Sequence, residues 1–536
     1  MEGKECGEGK ERGKEGFFWK KERLHFFFLL FFNAFTDSKM VSWWALAASA
    51  PLVIVGILFT PLAYTVIKFV VTIPRYRHIP RRHKSPWFIL LKMFDGNGGL
   101  EECLQELFDP QANHYSHVTY EGFFFGGAHQ VALTNPEDFR TVLGDPNSFK
   151  KDGTYVIIED FLGKGLVSAR GDTWKLHRRV LTPAFHFQFL KGLTSLMARS
   201  AGVLVDSLAG TQAQPTDPYH HFSQAAMEVI IESSVGSGLL DVAQLSASYK
   251  ELAGYFLNYF VGVLAFGPFL KYLPFDFATR MPRKKREVLS MIASAVAKRR
   301  ATLELAAKQP GEQQPQCNDF VTLMLASGEL TEEEILDEGL TFFFAAHDTI
   351  SSMLAWAFFF LCKHPEYQAK IQRELDEGGF DLENTSAEDL ARFPLLKMFV
   401  NETLRLRPPV IALTRELTKD HVLSGHRLPA GTVVNMIFQA THLDPAYWDD
   451  PERFYPERFA SDSEEATARH PFAFLPFSAG PRSCIGKRFA IQEAQIFLAA
   501  VIQRFNVEGK TQGILIDTMS ISRPKGFTVA FLPRTR

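Results

Sequence analysis

Cysteine is scarce in this sequence, and neither sign of charge is in excess. Only five of the 536 residues are cysteine, and they form no close pair. This spacing excludes a disulfide scaffold and a Cys-x-x-Cys zinc site, and it suits a reducing compartment. The 58 basic and 60 acidic residues give a net charge of −2, so the overall balance indicates no nucleic-acid partner. A content of 46% hydrophobic and 22% charged residues excludes a disordered, collagen-like or coiled-coil chain.

Charge is missing altogether from residues 40–67, between Lys39 and Lys68. As a helix this stretch would reach about 42 Å, enough to cross a hydrocarbon layer of about 30 Å with tilt. Basic residues and three prolines follow as far as position 86, which is typical of the cytosolic side of an anchor. The sequence therefore predicts a retained transmembrane anchor over 40–73, a proline-rich linker with the start of the body over 74–115, and a cytosolic body over 116–536.

The N-terminal residues 1–39 alternate charges with glycine, and Met40 stands where the apolar stretch begins. We interpret them either as a charged extension of the protein or as an artefact of the translation start. Glutamates at positions 2, 5, 8, 11 and 15 are atypical of a plastid transit peptide, which disfavours that kind of targeting.

Helical patterns dominate the chain from about residue 90 onward. Residues 331–363 are predicted to form one long apolar-rich helix, which begins at the capping residue Thr331. The predicted strands are few and short, at Val131–Thr134 and Val433–Ile437, and residues 309–316 are predicted to form a polar loop. The pattern indicates a mainly α fold with minor β structure, arranged as a single domain.

A second charge-free run covers residues 252–270 and contains three glycines and a proline. Two interpretations stay open: a buried helix followed by a loop, which we favour, and a surface loop that dips into lipid. The glycines and the proline disfavour a second membrane span.

A single cysteine lies in an unusual loop, Phe477-Ser-Ala-Gly480-Pro-Arg482-Ser-Cys484-Ile-Gly486. A thiolate that binds iron needs backbone amides and positive potential to lower its pKa. The glycines permit a tight loop that aims amides at the sulfur, and a predicted helix after Gly486 adds its positive N-terminal dipole. Phe477 would shield the sulfur from water, and Arg482 suits a carboxylate.

This loop resembles the FxxGxRxCxG loop of the cytochrome P450 family, the haem-thiolate monooxygenases. The resemblance implies that Cys484 is the axial ligand of the iron of haem b, with Phe477 and Gly486 in the same cofactor-binding loop. Upstream, Trp174 and Arg178 reproduce the WxxxR pattern of the family. The resemblance places both on a haem propionate together with Arg415 and Arg482, whereas taken alone the first two would be a surface cation–π pair.

The long helix carries Ala345-Ala346-His347-Asp348-Thr349, similar to the (A/G)-G-x-(D/E)-T segment of the family. The resemblance implies catalytic roles for Thr349, as the hydroxyl beside bound dioxygen, and for Asp348, as the proton source, in a helix that opens locally. Ala346 replaces the usual glycine, which narrows the oxygen groove by a methyl group. Farther along, the resemblance gives Glu402, Arg405 and Arg458 a structural role in a buried network rather than in a surface bridge.

The implied activity is the insertion of one oxygen atom from O2 into a small lipophilic substrate, by hydroxylation or epoxidation. The chain has no flavin or nicotinamide motif, so electrons would come from NADPH through NADPH-cytochrome P450 reductase, with cytochrome b5 as a second candidate donor. We assign the docking of the electron donor to a basic face that comprises Lys175, Arg179, Lys487 and Arg488. We assign the binding of the substrate to an apolar pocket wall that comprises Phe342, Phe343, Val410, Ile411, Ala412 and Leu413.

The sequence is similar to the membrane-bound eukaryotic clans that contain fatty-acid omega-hydroxylases, cholesterol 24-hydroxylase and drug-oxidising enzymes. These imply an endoplasmic reticulum membrane, with a plastid membrane less favoured. Ala345 stands where omega-hydroxylases commonly carry a glutamate that esterifies haem, which disfavours covalent haem and strict terminal hydroxylation. Two other functions stay open: a thiolate-haem isomerase or hydroperoxide lyase that needs no reductase, and a non-catalytic membrane haem sensor or carrier.

Overall fold

The computed structural model describes residues 71–80, 117–124, 128–266, 275–308, 319–512, 515–517 and 521–534. The chain divides into two units, Met1–Thr72 and Ile73–Arg536, and the description below concerns the second. The predicted extension 1–39, the apolar stretch 40–67 and the loop 309–316 lie outside the described residues.

Helices make up most of the second unit, as the sequence predicted. In chain order they are α1 (Pro136–Gly144), α2 (Thr154–Leu162), α3 (Gly171–Leu181), α4 (Phe187–Gly192), α5 (Thr194–Ala209), α6 (Pro218–Val235), α7 (Val242–Phe266), α8 (Asp276–Ala307), α9 (Phe320–Ser327), α10 (Glu332–Lys363), α11 (Pro365–Glu377), α12 (Pro394–Leu406), α13 (Phe438–His442), α14 (Glu464–Ala468) and α15 (Lys487–Arg504). The longest, α8 and α10, have 32 residues each.

The strands are short and more numerous than predicted. They are β1 (Val118–Phe124), β2 (Ala128–Leu133), β3 (Phe149–Lys150), β4 (Ala412–Leu417), β5 (His421–Leu423), β6 (His426–Leu428), β7 (Val433–Ile437), β8 (Phe505–Lys510), β9 (Leu515–Asp517), β10 (Arg523–Lys525) and β11 (Thr528–Pro533). The main sheet has the order β1-β2-β7-β4-β3, in which only β2 and β7 run parallel. The other strands form three two-stranded ribbons.

Two hydrophobic cores hold these elements together. The larger lies among the helices and surrounds α10, which packs against α6, α8, α12 and α15. The smaller covers the main sheet, where Val131 and Leu133 of β2 and Val434 and Met436 of β7 are all buried. Burial of apolar side chains at about 25 cal/mol per Å2 makes these two cores the main source of stability.

Helix α10 begins where the sequence predicted. The side chain of Thr331 accepts from the Glu334 amide, and the Glu334 carboxylate accepts from the Thr331 amide, which completes a capping box. Among the described residues this is also the one helix long and apolar enough to cross a membrane, but most of its apolar window is buried inside the protein. The apolar character of α10 therefore reflects its place in the core.

The second charge-free run belongs in part to a helix. The run 252–270 falls within α7 as far as Phe266, and the rest of the run lies outside the described residues. Helix α8 begins at Asp276, so Pro282 lies inside the helix and beyond its first turn. There the proline removes one backbone hydrogen bond, the one that an amide at this position would donate to the carbonyl of Ala278.

Candidate functional site

Cys484 lies in a tight loop directly before α15. Its amide donates to the carbonyl of Phe477 at 2.9 Å, and the amide of Ser483 donates to Gly480 at 3.0 Å. Gly486 is the N-terminal cap of α15, so the sulfur lies near the positive end of the helix. These bonds close the loop around the cysteine as the motif predicted.

The two glycines of the loop differ in how strictly they are required. Gly480 has φ of +73°, and a Cβ built on it would lie 2.1 Å from the carbonyl oxygen of Leu143. Gly486 has an ordinary φ of −82°, and a Cβ there would come no closer than 3.9 Å to another atom. The turn therefore needs a glycine at position 480, whereas Gly486 serves mainly through its amide.

The environment of the Cys484 sulfur fits a metal-binding thiolate. The side chain has exposed surface, yet the surrounding protein is dense enough that burial raises the pKa of its thiol above the ordinary value. The Gly486 amide and the charges of Arg178 and Lys487 oppose that rise. The exposed surface leaves the Cys484 side chain accessible to a ligand.

Arg178 and Trp174 occupy neighbouring turns of α3 but have different partners. Arg178 donates to the carbonyl of Ser483 at 2.8 Å, next to Cys484. The guanidinium over the Trp174 ring belongs to Arg482, at 4.2 Å from the ring centre. The cation–π contact of Trp174 therefore joins α3 to the cysteine loop, and its partner is not Arg178, the residue that the alternative interpretation paired with Trp174.

Arg482 and Arg415 are the other two predicted propionate ligands, and both are held by neutral oxygens. Arg482 donates to the carbonyl of Ala169 at 3.1 Å, and Arg415 donates to the carbonyl of Thr414 at 2.7 Å. Burial and the charge of Arg415 lower the pKa of Arg482 to about 10. Among the described residues neither arginine forms an ion pair with a carboxylate, which leaves their charge available for an anionic ligand.

Lys151 completes this cationic cluster, and the sequence did not reveal it. Its ammonium is buried and donates to the carbonyls of Val167 and Ala169. Burial, followed by the charges of Arg482 and Arg415, lowers its pKa to about 6. In the sequence Lys151 directly follows Lys150, which is exposed. Only the contacts of Lys151 with the segment 167–169 distinguish the two lysines. With a pKa of about 6 the Lys151 amine is largely uncharged at neutral pH, so the positive charge of the cluster, which suits the two propionates of haem, comes from Arg415 and Arg482.

The predicted catalytic segment lies in the middle of α10, which is continuous there instead of opening locally. Ala345 is exposed although most of α10 is buried. The hydroxyl of Thr349 donates to the carbonyls of Ala345 and Ala346, at 2.8 and 3.2 Å. These bonds keep the hydroxyl beside the exposed Ala345.

Asp348 has partners that the sequence did not reveal. Tyr219 of α6 donates to the Asp348 carboxylate at 2.9 Å, and His347 Nδ1 lies 2.9 Å from the same oxygen. Burial alone would raise the pKa of Asp348, but these two contacts and the charge of a nearby arginine lower it below the ordinary value. The carboxylate is therefore ionised at neutral pH.

The predicted pocket wall is only partly correct. Phe342 and Phe343 are buried in the helical core, where Phe342 packs on Phe320 with ring centres 4.8 Å apart. On the same helix Phe344 is only partly buried and contacts Phe161 of α2 and Phe256 of α7. Val410, Ala412 and Leu413 keep part of their surface exposed, as a pocket wall requires.

The structural network also forms as expected. Arg405 makes two hydrogen bonds to Glu402, at 2.7 and 2.8 Å, and Arg458 donates to the same carboxylate at 3.2 Å. All three side chains are buried. They join α12 to the segment that precedes the cysteine loop in sequence, so their role is structural: they hold that segment in place.

A sequence profile described as cytochrome P450 matches residues 80–531. The chain belongs to the cytochrome P450 family. It is therefore an oxidoreductase of the monooxygenase class, and its cofactor is haem b. The cysteine loop and the cationic cluster supply the residue types that this cofactor needs.

Relatives and solved structures agree with this assignment. The human cytochrome P450 4F2 is 35% identical over 400 residues, covering 70% of this chain and 76% of the relative. The human cytochrome P450 4F8 is 33% identical and covers 81% of this chain and 86% of its own length. The crystal structure of the cytochrome P450DA heme domain superposes with a TM-score of 0.71 at 21% identity, covering 85% of this chain and 98% of that domain. At that identity the structural likeness shows the fold alone.

Proposed function

We propose that this cytochrome P450 hydroxylates or epoxidises a small lipophilic substrate at the membrane of the endoplasmic reticulum, with electrons from NADPH through NADPH-cytochrome P450 reductase. The observation that carries the proposal is the environment of Cys484: an accessible side chain beside the Gly486 amide, Arg178 and Lys487. When bound, haem supplies the dioxygen chemistry, and the chain's residues hold it and deliver protons.

Cys484 would hold the iron through its sulfur. Burial disfavours a free thiolate at this position, but a coordinated thiol is deprotonated by the metal charge. The amide of Gly486 and the N-terminal end of α15 would then stabilise the negative sulfur, and Phe477 of the same loop would shield it from water. This arrangement favours a strongly electron-donating ligand over a labile one.

The cationic cluster would hold the two propionates. Arg415 and Arg482 bind only neutral oxygens in the described part of the chain, so each can turn a donor toward a carboxylate. Trp174 orients Arg482 by stacking, and Arg178 ties the same region to the cysteine loop. Charge-assisted hydrogen bonds of this kind are roughly twice as strong as neutral ones, which orients the cofactor as well as binding it.

Asp348 and Thr349 would deliver protons at the reacting side. The ionised carboxylate of Asp348 sits between the partly exposed Tyr219 and the core residue His347, so it links the surface side of α10 to its interior. Thr349 holds its hydroxyl beside the exposed Ala345 and can pass a proton onward by rotating. In this relay the ionised carboxylate first accepts a proton from the surface side and then passes it to Thr349, so the ionised form of Asp348 is the active one.

The substrate would be apolar. Phe344, Phe161 and Phe256 form an aromatic cluster next to the exposed Ala345, and Val410, Ala412 and Leu413 offer further apolar surface. Such walls bind a lipophilic molecule mainly by removing it from water. Ala345 carries no carboxylate, so this chain cannot make an ester to haem at that position.

Electron delivery would occur on the face that carries Lys487 and Arg488. Both are exposed and, within the described residues, neither pairs with a carboxylate, whereas Lys175 and Arg179 form ion pairs with Asp172 and Glu329. An acidic FMN domain or cytochrome b5 would complement this charge.

Residues 40–73 would anchor the protein, with 74–115 as the linker and 116–536 as the catalytic domain.

Reconstitution tests the proposal against its two alternatives. The full-length protein is placed in vesicles with the reductase, NADPH and a panel of apolar substrates selected by the shift in haem spin state. The proposal predicts that product forms only when NADPH, reductase and O2 are all present. Product without reductase would favour an isomerase or lyase, and haem binding without any product would favour a sensor or carrier.

A further inference from the structure

A buried ion pair joins α3 to α10, and none of the steps above uses it. His177 Nδ1 of α3 lies 2.6 Å from Glu338 Oε1 of α10, and both side chains are fully buried. His177 Nε2 lies 3.3 Å from Glu334 Oε1, although the two are not aligned for a hydrogen bond. One imidazole is thus held between two carboxylates of the same helix.

The pair is electrostatically significant because it is sealed from water. Burial alone would lower the pKa of His177, but Glu338 and Glu334 raise it above its ordinary value. Removing either partner would leave the other as a buried polar group without its hydrogen bond, which is costly. The contact therefore favours one relative position of the two helices, because any other would leave these groups unpaired.

The same stretch of α10 also anchors the loop between α2 and α3. Asp337 accepts a hydrogen bond from the amide of Lys164 at 2.7 Å. A Cβ on Gly165 would lie 2.0 Å from the hydroxyl of Thr341, so the loop backbone rests directly on the helix. Loop and α3 are thus attached side by side to one acidic stretch, Glu334–Thr341.

From His177 the connection continues to the cysteine loop. The next residue, Arg178, donates to the carbonyl of Ser483 at 2.8 Å, and Ser483 precedes Cys484. Glu338, His177, Arg178 and Ser483 therefore form a continuous path from α10 to the proposed iron ligand. Along this path the helix that carries Asp348 and Thr349 is tied to the loop that carries the sulfur.

We propose that His177 is a positioning residue, which locks α3 against α10 through Glu338 and thereby fixes the cysteine loop for a stable bond between Cys484 and the haem iron. The inference rests on the proposed role of Cys484 and adds a residue that the sequence motif did not single out. Groups that bond directly to a metal ligand change metal affinity by about 10–100-fold in other proteins. Because His177 acts through Arg178 and Ser483, the lower end of that range sets the expected scale.

The test measures haem retention by the full-length haem-loaded protein, independently of turnover. The variants are His177→Phe and Glu338→Gln, and the control is Glu374→Gln, a carboxylate on α11 that accepts the amides of Leu395 and Leu396. The rate of haem transfer to excess apomyoglobin should rise about tenfold or more in both variants and stay within about twofold in the control. The fraction of thiolate-type carbon monoxide complex should fall in parallel.

Haem loss that is unchanged in His177→Phe, or that merely follows the loss of thermal stability across all three proteins, would overturn the proposal. If His177→Phe does not fold, His177→Gln and the double variant with Glu338→Gln replace it. If the effects of the His177 and Glu338 substitutions on haem loss are not additive in the double variant, the two residues act along one path. Additive effects would contradict a shared path. Because Cys484 is intact in every variant, a negative result here leaves the thiolate assignment standing, whereas a thiolate-type spectrum in Cys484→Ala would refute that assignment itself.

Discussion

At the turn before the cysteine, Gly480 combines φ of +73° with a close approach to the carbonyl of Leu143. A methyl group there would add left-handed strain and a clash with backbone that cannot move independently. Gly480→Ala should lower the free energy of unfolding by about 2–4 kcal/mol, measured by chemical denaturation. Gly486→Ala is the matched control, since its Cβ would meet nothing closer than 3.9 Å, and it should cost less than about 1 kcal/mol. Equal losses in the two variants would contradict this account.

The hydrogen bond from Tyr219 to Asp348 makes a prediction about pH. The bond stabilises the ionised carboxylate, so removing it should raise the pKa of Asp348 from its lowered value. At a given acidic pH less of the carboxylate is then ionised, and the acid limb of the kcat/KM profile should move to higher pH. In Tyr219→Phe we expect a shift of about one pH unit, the equivalent of one charge-assisted hydrogen bond.

Tyr367→Phe is the matched control for that experiment. Tyr367 also donates to a carboxylate, that of Glu457 at 2.6 Å, but it lies on α11 and outside the proposed relay. Its pH profile should coincide with that of the unmodified enzyme. A Tyr219→Phe profile that also coincides would exclude Tyr219 from setting the ionisation of Asp348.

Individual residues differ in how visible they are to sequence analysis. Cys484 was found because glycines, an arginine and an aromatic residue surround it at fixed spacing within one loop. Lys151, Tyr219 and His177 were missed because their partners come from segments far away along the chain. A buried ion pair between two helices leaves no local pattern that distinguishes it from two surface charges.

Among the elements, α12 and the segment before the cysteine loop depend on one buried charge network. Arg405 also donates to the carbonyls of His442 and Pro451, so its loss would orphan several acceptors besides Glu402. Arg405→Met should lower the free energy of unfolding by about 3–5 kcal/mol, the usual cost of removing one partner of a buried charge pair. Arg280→Met, which breaks an exposed pair with Asp276, should leave the free energy of unfolding nearly unchanged. Similar unfolding midpoints for the two variants would contradict a structural role for the network.

The elements were predictable in proportion to their length. Helix α10 was located to within one residue, because its cap and its apolar pattern agree over 32 residues. Strand β7 was predicted with its observed ends, Val433–Ile437, because a turn precedes a short run that is apolar except for Asn435. Strands such as β3, with two residues, carry no periodic pattern and form only because a partner strand is already in place.

Seen as a whole, the molecule should receive electrons through its exposed charge at Lys487 and Arg488. The double variant Lys487→Glu/Arg488→Glu should be reduced about tenfold more slowly by the reductase at low salt, and the difference should shrink as salt screens the contact. Stopped-flow measurement of haem reduction tests this. The single variant Arg488→Glu leaves the Lys487 charge near the Cys484 sulfur in place. A slower reduction of this variant therefore reports on docking alone.

Reversal of two exposed arginines on α8, Arg283→Glu/Arg286→Glu, changes the net charge equally and serves as the control. Its reduction rate should match that of the unmodified protein. If both double variants slow equally, long-range charge and not a docking face would explain the effect, and if neither slows, the face lies elsewhere.

At this scale the sequence predicted the class of fold and the order of its motifs, but not how the helices pack. The mainly helical body, the minor sheet and the cysteine loop were all predictable, since each depends on local pattern. The buried positions of Phe342 and Phe343 were not, because helix periodicity alone does not say which apolar side faces a cavity and which faces the core.

The central claim, that the sulfur of Cys484 binds the haem iron, is tested most directly by the carbon monoxide difference spectrum of the reduced full-length protein. The unmodified chain should give the spectrum of a thiolate-ligated haem. Cys484→Ala should lose that spectrum and all turnover while the fold, followed by circular dichroism, persists. A thiolate-type spectrum that survives in Cys484→Ala would contradict the assignment.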